Sequence, residues 1–253
     1  MNGIFRNLNI NYNTIFLDND LHYPLLHPML CSNISSQIYM NKYSSAYFIL
    51  GNNGWCYQLG NKNDTDFNKY VLELIENEML NRKEILWFGC PDIDFHSYNF
   101  ELKRSKRIEF EYLGMKKLEL SKTASFDIHR ATENELRELY FLHDDISTYW
   151  ETIDNFVGNG FSYIAKNADK IIGYVLSASI CESVVEVDVW TNPEYRGQGI
   201  SKLLCSHFIG YCHDNSLLPK WDCFEDNIAS IKLAKTLGFV EKRKYYFGYI
   251  YKN

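Results

Sequence analysis

The sequence predicts an α/β protein built around a mixed sheet and divided into two units, and three observations predict it. Short stretches alternating apolar and polar residues, the period-2 signature of half-buried strands, recur along the whole chain. Between them lie stretches with apolar residues three and four apart, the spacing of helices packed on a sheet. The third observation is size. At 253 residues the chain exceeds one typical domain of about 100 to 200. With 46% hydrophobic and 23% charged residues it can build a core and is neither disordered nor collagen-like.

In the first half, Ala46 to Leu50 and Trp55 to Leu59 flank Gly51-Asn52-Asn53-Gly54, which predicts a hairpin. Phe67, Val71, Leu72, Ile75 and Met79 recur at helical spacing, and Ile85 to Phe88 and Ile108 to Leu113 read as strands. The basic run Lys103-Arg104-Ser105-Lys106-Arg107 leads into the last of these and is read as its solvated end. Formal net charge is −6, with 13 basic and 14 acidic residues over 1–124 and 13 basic and 18 acidic over the rest. Phosphate neutralisation needs the opposite balance, so no nucleic-acid partner is expected.

No Pro- or Gly-rich linker occurs, and the polar, small segment Ser121 to Ser125 marks the boundary. Residues 1–122 are expected to form an N-terminal α/β domain of unknown role and 123–253 a second domain. The second opens with a strand over Phe126 to Arg130, then a helix whose capping box is Thr132 and Glu135. Phe161 to Lys166 and Ile171 to Ala178 are strands around a turn. Val184 to Thr191 is a further strand, with Glu186, Asp188 and Trp190 on one face and Val185, Val187 and Val189 on the other. Helical spacing over Ile200 to Cys212, a strand at Lys220 to Phe224, a helix capped by Asn227 and ended by Gly238, and a strand over Lys242 to Ile250 complete it.

No window approaches the roughly 18 to 20 apolar residues of a membrane span, and the opening MNGIFRNLNINYN lacks a secretory pattern. No membrane association and a cytoplasmic location are expected. The seven cysteines show no Cys-x-x-Cys pair, so reduced thiols and no metal are expected. Cys205, His207, Cys212 and His213 fall within a helical apolar pattern and are read as packing. Nothing in the sequence speaks to oligomeric state.

Chemistry concentrates in residues 187 to 201, V-D-V-W-T-N-P-E-Y-R-G-Q-G-I-S. A strand ends at a Pro turn, a Gly-containing loop follows and a helix begins at once. Unpaired backbone N–H groups therefore converge on one volume, and the helix dipole adds attraction for an anion. Gly197 and Gly199 let a phosphate approach the backbone. Neither Gly-x-Gly-x-x-Gly nor a Gly-Lys-Ser/Thr P-loop is present.

Arg196-Gly197-Gln198-Gly199-Ile200-Ser201 resembles the Arg/Gln-x-x-Gly-x-Gly/Ala loop of the GNAT superfamily of acyl-CoA-dependent N-acyltransferases, with Ser201 where Gly or Ala is usual. Trp150, Gly160-Phe161, Glu186 to Thr191, Pro219 to Cys223 and the Asn227-Ser230-Ala234-Gly238-Phe239 series are similar to a subgroup that includes zwittermicin-resistance-type acetyltransferases. The resemblance implies a GNAT-like fold in the C-terminal half; the hairpin, helix and strand order of the N-terminal half suggests a degenerate half-copy of the same fold. It implies acetyl-CoA as cosubstrate. Backbone groups of Val189 and Thr191 would pair with the pantetheine arm, Arg196 to Ser201 would take the pyrophosphate, and Asn227 and Ser230 would face the pantetheine. Asn227 also has a plain reading as a helix cap.

Transfer to an amine needs a neutral nitrogen, yet an alkylammonium of pKa near 10.4 is almost entirely charged at pH 7, so a general base is expected. Glu186 is favoured narrowly over Asp188. Many relatives place a Tyr acid on the helix after Asn227; Ala234 stands there, leaving Tyr245 and Tyr246 as candidates, with strand-face packing as the competing explanation. The expected function is N-acetyl transfer from acetyl-CoA to a primary amine of a small molecule, antibiotics included, by direct attack in a ternary complex. The alternative is a non-catalytic acyl-CoA-binding or sensing module.

Overall fold

The computed structural model describes residues 4–7, 23–30, 34–114 and 126–252. The chain divides into two compact units, Met1–Arg107 with Lys244–Asn253, and Ile108–Arg243. The expected 122/123 boundary falls among residues 115–125, outside the described residues. Strands β6 (Glu101–Tyr112) and β12 (Phe239–Tyr251) each contribute residues to both units.

In the first unit, β1 (Ile4–Asn7), β2 (Ser36–Asn41), β3 (Ala46–Gly51) and β4 (Trp55–Gly60) run antiparallel in chain order. A short helix α1 (Leu26–Leu30) precedes β2. Helix α2 (Thr65–Met79) then carries the chain to β5 (Glu84–Phe88), which pairs parallel with β4 at Trp55↔Leu86, Cys56↔Trp87 and Tyr57↔Phe88. The predicted helical positions Phe67, Val71, Leu72, Ile75 and Met79 are the buried face of α2, packed with Phe48 and Trp87. Asp64 caps α2, accepting from the Phe67 N–H at 2.9 Å. The end of β12 pairs antiparallel with β5 over Phe247–Tyr251. The sequence reading missed α1 and β2; Ser-Gln-Ile-Tyr-Met-Asn has too few apolar residues to alternate visibly.

The second unit begins with the end of β6. Strands β7 (Asp127–Arg130), β8 (Ser162–Asn167), β9 (Lys170–Cys181) and β10 (Val184–Thr191) form an antiparallel run, and β11 (Leu218–Phe224) lies parallel beside β10. On one face, α6 (Ile200–Asp214) and α7 (Ile228–Thr236) pack over Val175, Val185, Trp221 and Phe239. On the other, α3 (Glu133–Leu142), α4 (Asp144–Tyr149) and α5 (Ile153–Asn159) cover Ile164, Tyr174 and Leu176. The capping box expected at Thr132 and Glu135 is formed. Gly238 follows α7 with φ 94°, a left-handed turn that favours glycine.

Among the described residues Cys56, Cys90, Cys205 and Cys212 are free thiols, whereas Cys181 is disulfide-bonded, which corrects the expectation of uniformly reduced cysteines.

Candidate active site

The site is built on β10 and the loop that follows it. Strands β10 and β11 are in register only at Val184↔Leu218, Val185↔Pro219 and Glu186↔Lys220, where β10 also has an irregularity against β9. Beyond Glu186, β10 continues to Thr191 paired with β9, and among the described residues the edge that faced β11 has no strand beside it there. Val189 and Thr191 lie on this stretch.

At the end of β10, Asn192 accepts from the Glu194 N–H and turns the chain through Pro193–Tyr195. The Arg196 Nε donates to the Thr191 carbonyl at 3.2 Å, pinning the loop to the strand end. Gly197 and Gly199 both have φ of 79°, left-handed geometry that side chains resist, and a Cβ on either would meet nothing within 4 Å. Gly199 is the N-cap of α6 and supplies no side-chain cap. Among the described residues, the N–H groups of Gly197, Gln198, Gly199, Ile200 and Ser201 find no acceptor in the chain. The positive end of a 15-residue helix is thus left open. Ser201 turns its hydroxyl back to Thr191 Oγ1 at 2.7 Å and away from the loop, so a Ser is accommodated where a smaller residue is usual. Gly173 on β9 permits this approach: a Cβ there would sit 3.1 Å from Ile200 Cγ2.

Asn227 caps α7, its Oδ1 accepting from the Ser230 N–H at 3.1 Å, and the Ser230 hydroxyl accepts from Trp221 Nε1 at 3.0 Å. The cap reading of Asn227 is therefore realised, while Ser230 retains a hydroxyl proton to donate. Ala234 is fully buried in the core. Tyr245 is buried against Tyr23 and Phe88, and Tyr246 is 54% exposed beneath the Lys106 ammonium; both belong to the first unit.

The two carboxylates of β10 lie on the face opposite α6, as the alternation predicts. Glu186 is buried at the last β10–β11 pair. Asp188 is half-buried, and its pKa is pushed up to about 6. Burial is the larger cause and the negative charge of Asp145 the second, while hydrogen bonding from the Val189 N–H and the Tyr174 hydroxyl pulls the other way. Trp190 stands opposite Tyr174 across the β9–β10 pair with rings stacked at 5.7 Å, and the His143 ring lies 4.7 Å from Tyr174 and 4.8 Å from Trp190. Sequence reasoning missed Tyr174, His143 and Asp145, because nothing in the spacing of 143, 145, 174 and 188 joins them.

Among the described residues no group of His, Cys, Asp and Glu could hold a metal ion, and no helix is long and apolar enough to cross a membrane.

A helix N-terminus left open for an anion, following a strand whose edge is free and which carries a raised carboxylate, is the arrangement of an acyl-CoA-dependent N-acyltransferase. The GNAT acetyltransferase family matches residues 15–247, and the chain belongs to that family. It is 25% identical over 215 residues, 82% of each chain, to the uncharacterized N-acetyltransferase YdfB of Bacillus subtilis (strain 168). The fold is similar to a GCN5-related N-acetyltransferase-like protein from Streptococcus suis, with TM-score 0.69, 19% identity and coverage of 92% of this chain and 94% of that one. It is also similar to a tandem GNAT protein from the clavulanic acid biosynthesis pathway, with TM-score 0.59, 11% identity and coverage of 87% and 83%. Membership of the family implies acetyl-CoA as cosubstrate and an amine as acceptor.

Proposed function

We propose that the protein transfers an acetyl group from acetyl-CoA to a primary amine of a small molecule by direct attack in a ternary complex. The observation that carries this reading is the uncapped N-terminus of α6, with five free N–H groups, directly after the unpaired edge of β10. These residues suit the cosubstrate: the loop is a cradle for a diphosphate that no side chain crowds, and exposed Arg196 adds a cation. Val187 to Thr191 would hold the pantetheine arm as an added strand, with Val189 and Thr191 as its backbone partners. Ser230 would donate to the same arm from α7, and Asn227 would hold that helix start in place.

Acetyl-CoA supplies an activated thioester. The protein's part is to bring a neutral amine to it. As the N–C bond forms and the C–S bond breaks, the amine proton passes to a carboxylate and sulfur leaves as thiolate. A base works best with a pKa near the working pH, and Asp188, near 6, meets that condition. We therefore assign the base to Asp188, with buried Glu186 supporting the strand beside it. The thiolate, with a pKa near that of cysteine at about 8.5, departs without an obligatory acid, so the proposal gives Tyr246 no role.

The test is free-thiol release from acetyl-CoA with a panel of primary amines, alongside calorimetric titration of CoA. Turnover abolished by Asp188→Asn with CoA binding retained supports the reading. CoA binding without turnover of any amine would favour a sensing module, and absence of both would overturn the proposal.

We further infer that the first unit is a degenerate half-copy of the same fold. Its order of β2, β3 and β4 antiparallel, a helix, then β5 parallel to β4 repeats that of β8, β9 and β10, α6 and β11. Its helix start is filled, however: the Asp64 carboxylate accepts from the Phe67 N–H, from Asn41 Nδ2 at 2.8 Å and from the Ser44 hydroxyl. The chain's own anion occupies the position that a phosphate would take.

A further inference from the structure

Resting on the acetyl-transfer reading, we propose that the acceptor is a diamine, whose reacting nitrogen meets Asp188 and whose second, permanently charged ammonium is held by Asp145 with the faces of Trp190 and His143. Five side chains from three places in the second unit compose this corner. Asp188 and Trp190 are two residues apart on one face of β10. Tyr174 comes from β9, and its ring stacks on Trp190. His143, at the junction of α3 and α4, sets its ring against both, and Asp145 follows it in the first turn of α4.

The charge balance of the corner is its telling feature. Several other acids of the unit have cations: Glu109 pairs with Lys242 and Arg243, Glu135 with Lys166, and Glu133 and Asp154 with Arg137. Among the described residues neither Asp145 nor Asp188 is paired with a Lys or Arg. The negative charge of Asp145 acts on Asp188, and burial holds His143 below its ordinary pKa, so the ring brings little positive charge. The charge of half-buried Asp188, beside these stacked rings, is unfavourable without a partner. A monoamine cannot supply one for long, since its nitrogen must surrender a proton to be acetylated. A second ammonium keeps its charge through the reaction, pairs with Asp145 and gains from the ring faces beside it.

The experiment uses the full chain with acetyl-CoA, comparing kcat/KM for 1,4-diaminobutane and 1,6-diaminohexane with n-pentylamine, in the wild type and in Asp145→Asn and Asp145→Glu. The expected result is a preference for at least one diamine of about tenfold or more, the worth of one hydrogen bond to a charged group. The ratio should collapse toward one in Asp145→Asn and return in Asp145→Glu. Equal kcat/KM for diamines and monoamine in the wild type, or a preference that survives Asp145→Asn, would overturn the proposal while leaving acetyl transfer intact. If no amine is acetylated, the transferase reading falls by itself. Calorimetry with the two diamines then decides: binding lost in Asp145→Asn supports the site, and no binding to the wild type overturns it.

Discussion

At the scale of the residue, the environment of Asp188, the proposed base, gives a pH-dependent expectation. A carboxyl held near 6 in the folded chain, against about 3.9 unfolded, binds its proton more tightly when folded. Stability therefore falls as pH rises from about 4 through 6, and above 6 the ionised form costs up to about 3 kcal/mol. Asp188→Asn should raise stability to denaturant at pH 8, show no gain at pH 3.5, and lower kcat/KM by a hundredfold or more. In the wild type, kcat/KM should rise with pH through a limb near 6. Asp145→Asn removes a charge that raises this pKa, so the limb should move to lower pH. A limb that stays put in that variant would show that the group it reports is not Asp188. The choice between Glu186 and Asp188 was not legible in the sequence. Alternation places both on one face, and the surroundings that shift Asp188, burial first and the charge of Asp145 second, leave no trace in the spacing.

Among the elements, the loop before α6 and the cap of α3 make opposite use of a helix start. α6 is left open, and its glycines are held in left-handed geometry, so Gly199→Val should cost about 1–2 kcal/mol of stability. The same variant should weaken CoA binding further by placing a branched side chain over the N–H groups, which calorimetry would show. α3 is closed by Glu135, whose side chain is reached by the Thr132 N–H and hydroxyl, by Lys166 and by His129. Burial alone would raise its pKa, but these donors prevail and hold it at about 2. A depressed carboxylate stabilises above its unfolded pKa and loses that contribution as pH falls toward 2. Glu135→Gln should accordingly cost about 1–2 kcal/mol at pH 7 and progressively less below pH 4, measured by denaturant midpoints. Both helix starts were legible, because capping residues and glycines act through their immediate neighbours. α4 was not: six residues carrying Ile146 as their buried side chain leave no period to read.

For the whole molecule, two expectations follow from the pairing of strands. Residues 247–251 of β12 find their antiparallel partner in β5. A fragment of residues 123–253 would keep the CoA loop yet leave that pairing unmade, exposing an apolar strand edge. It should be insoluble or fail to unfold cooperatively, whereas the full chain should give a cooperative transition; a soluble, cooperative fragment would refute this. The second concerns stoichiometry. With Asp64 seated at the start of α2, titration should give one CoA per chain, and two would show that the first unit also binds.

From the sequence by itself came the order of most strands and helices, the open glycine loop at 196–201, and the shared face of Glu186, Asp188 and Trp190. All of these depend on residues within a turn or two of one another. Only the tertiary structure decided the return of the last strand to β5, the parting of β10 from β11 after Glu186, and the meeting of His143, Asp145, Tyr174 and Asp188. These arise from pairing and packing between distant segments, 165 residues apart in the case of Tyr249 and Glu84. Such contacts form once burial of apolar faces brings strands together, and residue spacing carries no record of them.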